Sequence, residues 1–367
     1  MFLILIIVIL AHFFMCGPRI NKNMLGGGEY LSRERTNMIN GFFIWIVFIN
    51  HMRSYKLNLG PIDHYIAYEM LQIGQCCVAT FFFYSGFGLM NSLKNKGVSY
   101  NLSLITKRIP RLLCHMAFAI ALYWILQTLY GKSYDVSKVL LSCIGWESLG
   151  NSNWFIFITL VSYVFIFIGY VAFHKLGNSA VVLSVTILLL LLISILKGEK
   201  GTWWYDTCLC IPAGMAFCLY RHHIEAFIKK LRIPLWILGL CLIPLSIHVY
   251  LSGALHKNFL FFISRPHLQN MAAITFAFGI TLLFSCITLN RMPKFLVWSG
   301  GVGLFWLYIL QRIPMIIGAH EKWQISHVFL YQLFCIVFTI ASASFISKAI
   351  NQIDNYISKL IKFRNIR

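Results

Sequence analysis

Residues 179–196 read SAVVLSVTILLLLLISIL, eighteen consecutive positions without a charge. As a helix they would extend about 27 Å, close to the roughly 30 Å of hydrocarbon in a bilayer. The stretch is too long for a buried strand and too uniformly apolar for a surface helix. Similar runs recur near 38–55, 66–90, 112–130, 153–173, 204–220, 234–251, 270–288, 296–317 and 327–347, each bounded by charged or Gly-, Pro- or Asn-rich turns. The pattern predicts an all-α polytopic membrane helix bundle of about ten core transmembrane helices. A shorter apolar segment, Phe2 to Cys16, has no basic residue before it and no small-residue cleavage site after it, so it reads as one further N-terminal helix rather than a secretory signal.

Composition agrees. Of 367 residues, 59% are apolar and 11% charged, whereas a soluble domain carries roughly 25% charged residues. The net charge of +20 does not point to nucleic acid, because no stretch is long enough to gather the basic residues on an aqueous domain. Topology accounts for it instead. Segments 17–37, 91–111, 174–178, 221–233, 289–294 and 348–367 hold about two-thirds of the 31 Lys and Arg residues, and the positive-inside rule makes them cytoplasmic, together with the C-terminus. The expected setting is therefore a multi-pass protein of the cell (inner) membrane, in contact with membrane lipids. The organisation expected is an N-terminal helix and linker over 1–30, a transmembrane domain over 31–347 and a basic cytoplasmic tail over 348–367. The eleven cysteines include no CxxC pair and no Cys/His spacing suited to zinc, so no metal is expected.

Function must then reside in polar residues within the bundle. In NMINGFFIWIVFINHM, residues 37–52, Asn40, Ile44, Val47 and His51 fall on one helical stripe, and the eleven positions from Asn40 to His51 span about 16 Å. A histidine inside a membrane can be satisfied by a neighbouring helix or can act as a general base. In VATFFFYSGFGLM, residues 78–90, Ser85, Gly86 and Gly88 serve close helix packing or line a passage. In KRIPR, residues 107–111, Lys107, Arg108 and Arg111 are a solvated positive cluster or a site for phosphates, which the planar Arg fork suits. No Asp or Glu sits mid-span where secondary transporters place coupling-ion sites.

Taken together, these segments resemble the acyltransferase-3 family of membrane-bound O-acyltransferases, whose bacterial members include O-acetyltransferases acting on surface polysaccharides. LSRERTNMINGFFIWIVFINHM (31–52) is similar to the family's first core helix, FFFYSGFGL (81–89) to its SG motif and KRIPRLL (107–113) to its basic pair. SNWFIF (152–157), WWYDTCLCIPAGMAF (203–217) and FLVWSGGVGLFWLYILQRIPM (295–315) also resemble later segments, so the likeness runs from about 31 to 347. The resemblance implies a ten-helix bundle that takes an acyl group, usually acetyl from cytoplasmic acetyl-CoA, and places it on a hydroxyl of a glycan or lipid-linked glycan acceptor across the membrane. It also implies that His51 is the catalytic base, that Arg108 and Arg111 are the basic pair, and that Ser85 and Gly86 lie near the donor channel.

The chain departs from the family at two places. The basic residue eleven positions before the His is Asn40, and the Trp-x-x-x-x-Glu-Glu pattern of another branch is replaced by WFIFITL from Trp154, without a carboxylate. Arg35 and Arg312 are candidate substitutes for the missing charge, Arg312 being the better because it lies within a helix without an acid to pair with; Arg53 is rotated by about 200° from His51. Trp146, Trp203, Trp204 and Trp323 are candidates for stacking on sugar rings or for an interfacial belt. The expectation is an O-acetyltransferase with acetyl-CoA as donor. The other readings are a transporter or flippase for a lipid-linked glycan, which predicts repeated halves with broken helices, and an inactive relative serving in an envelope assembly.

Overall fold

A computed structural model describes residues 2–20, 29–55, 60–230, 234–252 and 264–364, and 83% of the structure is helical. Helix α1 covers Phe2–Phe14 and α2 covers Arg33–Arg53. Ser32 caps α2, its Oγ accepting from the Arg35 N–H, and Glu34 complements the positive end of the helix dipole. Helix α3, Pro61–Ser103, starts on a proline whose missing N–H costs nothing in a first turn. It leaves helical geometry at Gly97 (φ 55°), passes through a π-turn at Leu104–Arg108 and continues as α4, Ile109–Leu129. Then follow α5 (Val136–Cys143), α6 (Trp154–Phe173), α7 (Asn178–Glu199), α8 (Cys210–Lys230), α9 (Leu235–Leu251) and α10 (Arg265–Ser285). Three short helices, α11 (Lys294–Ser299), α12 (Leu304–Leu310) and α13 (Arg312–Ala319), precede the long α14, Val328–Arg364.

Among the described residues, five helical stretches are long and apolar enough to cross a membrane: Ile73–Leu129, Trp154–Leu176, Asn178–Glu199, Arg265–Ser285 and Val328–Ile350. There are six if Cys210–Lys230 and Leu235–Leu251, bent by 105°, form one broken span. That is fewer than the ten core spans expected, for physical reasons. The expected spans 66–90 and 112–130 share one 57-residue run, which at about 1.5 Å per residue exceeds a single crossing. Helix α2 carries Asn37, Asn40, Asn50 and His51, which lower its hydropathy.

The expected helix over 296–317 is broken twice. At Gly300 a Cβ would sit 1.9 Å from the Asn37 carbonyl oxygen, so only glycine allows this turn to pack on α2. Pro314 cannot donate to the Leu310 carbonyl, and the break falls between them at Gln311, whose Nε2 donates to the Tyr308 carbonyl instead (2.8 Å). The expected loop 91–111 is helical apart from the break at Gly97 and the π-turn, and the expected boundary at 347 lies inside α14. Within the segment 1–30, β1 (Pro18–Ile20) pairs antiparallel with β2 (Ile287–Leu289), a ribbon with no sequence signal in so short a stretch.

Tertiary contacts gather the basic segments at one end of the bundle. The ribbon joins 17–37 to 289–294, the Tyr30 hydroxyl donates to Glu225 (2.7 Å), which also accepts from Arg221 Nε (2.7 Å), and Ser179 meets Tyr220 (2.7 Å). Burial, and next the adjacent Glu225 carboxylate, push the Tyr30 hydroxyl above its ordinary range. The opposite end is tied by other pairs: Lys200 lies 3.9 Å from Glu147, and Lys197 donates to Ser264 (3.1 Å).

Candidate active site

His51 lies near the far end of α2, half-buried, on the stripe with Asn40, Ile44 and Val47, all three of which are buried. Its ring stands edge-on to Tyr308, with centroids 6.2 Å apart. Gln311 and Arg312 are polar neighbours of its ring, brought there by the break between α12 and α13. The same guanidinium is an electrostatic neighbour of Tyr55, just past α2, and of Tyr123 on α4, and Tyr308 in turn faces Ser152 in the loop before α6. Tyr123 donates to the Ile309 carbonyl (2.7 Å) and Gln127, one turn on, donates to the Leu149 carbonyl (2.9 Å), which ties α4 and the 148–153 loop to the broken helix.

Within this cluster His51 Nδ1, Ser152 Oγ, Tyr308 Oη, Gln311 Oε1 and Arg312 Nε are all buried without a hydrogen-bond partner, as is Gln127 Oε1. A single buried unpaired polar atom costs about 1–3 kcal/mol, and more if charged, so several together weigh on the fold unless a polar partner is supplied. No carboxylate pairs with Arg312 among the described residues. Of these residues only His51 and Arg312 were singled out from sequence. Tyr55, Tyr123, Gln127, Ser152, Tyr308 and Gln311 come from four separate elements, and the available signal was that Gln311 and Tyr308 sit in the same segment as Arg312.

The basic end holds the remaining candidates. Asn40, Ser85 and Arg108 line one cavity of about 540 Å³, with Arg33, Tyr84 and Tyr163. Asn40 Oδ1 is buried there without a partner. Lys107, Arg108 and Arg111 line a second cavity of about 380 Å³, with Lys96, Ser99 and Tyr100. Arg108 lines both, its guanidinium lying 4.9 Å from the Tyr100 ring centroid. Four cations on the smaller cavity suit a polyphosphate. Gly86 lines neither. A Cβ on it would fall 2.0 Å from the Ile211 carbonyl oxygen, so its position serves the close packing of α3 on α8. Between the larger cavity and His51 lie about 16 Å of helix and the buried side chains of Phe43, Ile44, Val47 and Phe48.

At the far end Trp146 and Trp204 are covered by Lys200, whose Nζ lies 4.2 and 4.8 Å from their ring centroids, while Trp203 and Trp323 are exposed. Asp206, in the turn before α8, accepts from the Tyr250 hydroxyl; burial pushes its carboxyl up to about 7 against the pull of that hydrogen bond. No protein-family model matches the chain, and neither does any curated protein or solved structure.

Proposed function

We propose that the protein is a membrane-bound O-acyltransferase that moves an acyl group, acetyl in the simplest case, from cytoplasmic acyl-CoA to a hydroxyl of a glycan or lipid-linked glycan on the other side of the bilayer. The observation that carries the reading is the group of unpaired polar atoms around His51, placed about 16 Å along α2 from a cavity rimmed by Asn40, Ser85 and Arg108. In this reading the nucleotide of CoA stays at the basic end, with its phosphates on Lys107, Arg108 and Arg111, since burying them in hydrocarbon would be prohibitive. Only the pantetheine arm enters, past Ser85 and Asn40, and its reaching His51 requires the side chains packed between them to part.

The acceptor hydroxyl arrives at the far end and meets His51. As its oxygen attacks the thioester carbonyl carbon, His51 takes the proton through a ring nitrogen; Nδ1 is the one left unpaired. The tetrahedral oxyanion is held by Arg312, with Gln311 and Tyr308 beside it. Its collapse breaks the carbon–sulfur bond, and the CoA thiolate takes up the proton. Asn40 substitutes an uncharged donor for the family's basic residue, so Arg312 supplies the positive charge.

The test is direct. Purified protein given radiolabelled acetyl-CoA and candidate glycans transfers label to the glycan if the reading holds. One observation favours a second reading: the helix broken over 294–319 is the kind of element transporters place at their binding sites. A lipid-linked glycan transporter or flippase would move its cargo across a vesicle membrane and leave no label on it.

A further inference from the structure

Helix α1 packs on the bundle through Phe2, Ile9 and Phe13 but leaves a groove along one side. An apolar cavity of about 380 Å³ separates Ile4, Leu5, Val8 and Ile9 of α1 from Phe295 on α11 and from Ile336 and Ile340 on α14. From Ile4 to His12 the groove runs about 12 Å, against roughly 15 Å for the hydrocarbon of one leaflet. His12 closes this groove and also opens a second, larger cavity of about 1000 Å³. Arg33, Arg291 and Lys294 line that cavity, with Glu34 as its acidic residue. Among the described residues none of the three cations is held in an ion pair; Arg291 donates to the Met15 carbonyl (3.3 Å), and Lys294 is exposed. His12 Nε2, at the junction, is buried without a hydrogen-bond partner.

An apolar groove one leaflet deep, a lone imidazole nitrogen at its mouth and a net-positive cavity beyond follow the order of an anionic glycerophospholipid: acyl chain, ester, phosphate. We propose that these two cavities form one site for such a lipid, with its phosphate on Arg291 and Lys294, its ester oxygens at His12 and one acyl chain along α1. A soluble phosphate would leave the groove empty. A zwitterionic headgroup would bring its own cation against Lys294 and Arg291. Basic residues at the membrane surface attract anionic lipids in the same way, and here they are joined to a slot for the chain. The binding claim does not depend on the acyl-transfer reading. The cavity shares Arg33 and Asn37 with the one assigned to the donor, so a bound lipid would lie next to it.

Native mass spectrometry of the detergent-purified full chain, titrated with phosphatidylglycerol and with phosphatidylcholine of the same chains, tests the site. Phosphatidylglycerol should be retained at lower concentration, and Arg291→Gln with Lys294→Gln should weaken it by about tenfold or more while leaving phosphatidylcholine unchanged. The single exposed change Lys294→Gln should weaken it in the same direction without disturbing folding, and glycerol 3-phosphate should not displace the lipid. Equal retention of the two lipids, unchanged binding by the single and double variants, or displacement by glycerol 3-phosphate at concentrations like the lipid's own would each overturn the proposal.

Discussion

Two polar clusters, one at each end of the bundle, are paired in opposite ways. At the basic end Tyr30, Arg221 and Glu225 satisfy one another at 2.7 Å, and Arg33, Lys96, Lys107, Arg108 and Arg111 line cavities. At the far end His51, Ser152, Tyr308, Gln311 and Arg312 are gathered without closing hydrogen bonds among those atoms. Paired groups stabilise the fold; groups held together unpaired cost stability and are kept for something else. Under the proposed function the first end would recognise charge and the second would make the bond.

Under the proposed chemistry the sharpest way to break this contrast is His51→Ala. Loss of a general base should lower turnover by about 10²–10⁴-fold. Because the ring leaves an unpaired nitrogen in the native state, the melting temperature should hold within a few degrees. Wild-type turnover in the variant would remove His51 from the chemistry.

Arg312→Gln should come next. Removing an oxyanion donor costs about 10²–10³-fold in kcat, and the KM for acyl-CoA should scarcely move. A loss confined to the donor KM would transfer Arg312 to the binding end. Smaller again is the effect of Arg108→Gln with Arg111→Gln: the acyl-CoA KM should rise about tenfold with the acceptor KM unchanged, and donor affinity in the wild type should weaken with salt. Equal donor KM in variant and wild type would return these arginines to topology alone. The smallest change sharpens the other side of the comparison. Glu225→Gln leaves Arg221 and Tyr30 without their anion and should lower stability by about 1–3 kcal/mol, read as a lower melting temperature, with turnover per folded molecule intact. A kinetic defect without a stability change would show that Tyr30, Arg221 and Glu225 are part of the site.

Some of this was legible in the chain itself. Uniform apolar runs locate α6 and α7 to within a few residues, because a helix of about twenty residues satisfies its own backbone in lipid. The stripe from Asn40 to His51 was readable because both lie on one continuous helix. Less visible were the breaks after Ser299 and at Gln311, although Gly300 and Pro314 mark them; a run of apolar letters looks continuous when the interruption comes from how a neighbouring helix packs. The partners of His51 were hidden for another reason. They come from α2, α4, the loop before α6 and the broken helix, and no local periodicity links positions 55, 123, 152 and 311. The same holds for Tyr30 and Glu225, 195 positions apart. Gly86 takes the packing half of its two readings, its small size letting α3 approach the Ile211 carbonyl of α8.

The central claim is that donor and acceptor meet from opposite sides of the membrane, and accessibility mapping addresses it most directly. Ser54, the residue that ends α2 beyond His51, and Lys96, which lines the smaller basic cavity, are both exposed. With the native cysteines replaced, a cysteine at position 54 should react with an impermeant thiol reagent added outside intact cells, and one at position 96 only after the cytoplasmic face is opened. Labelling of both positions from the same side would place His51 and the basic cavities in one compartment and contradict transfer across the bilayer.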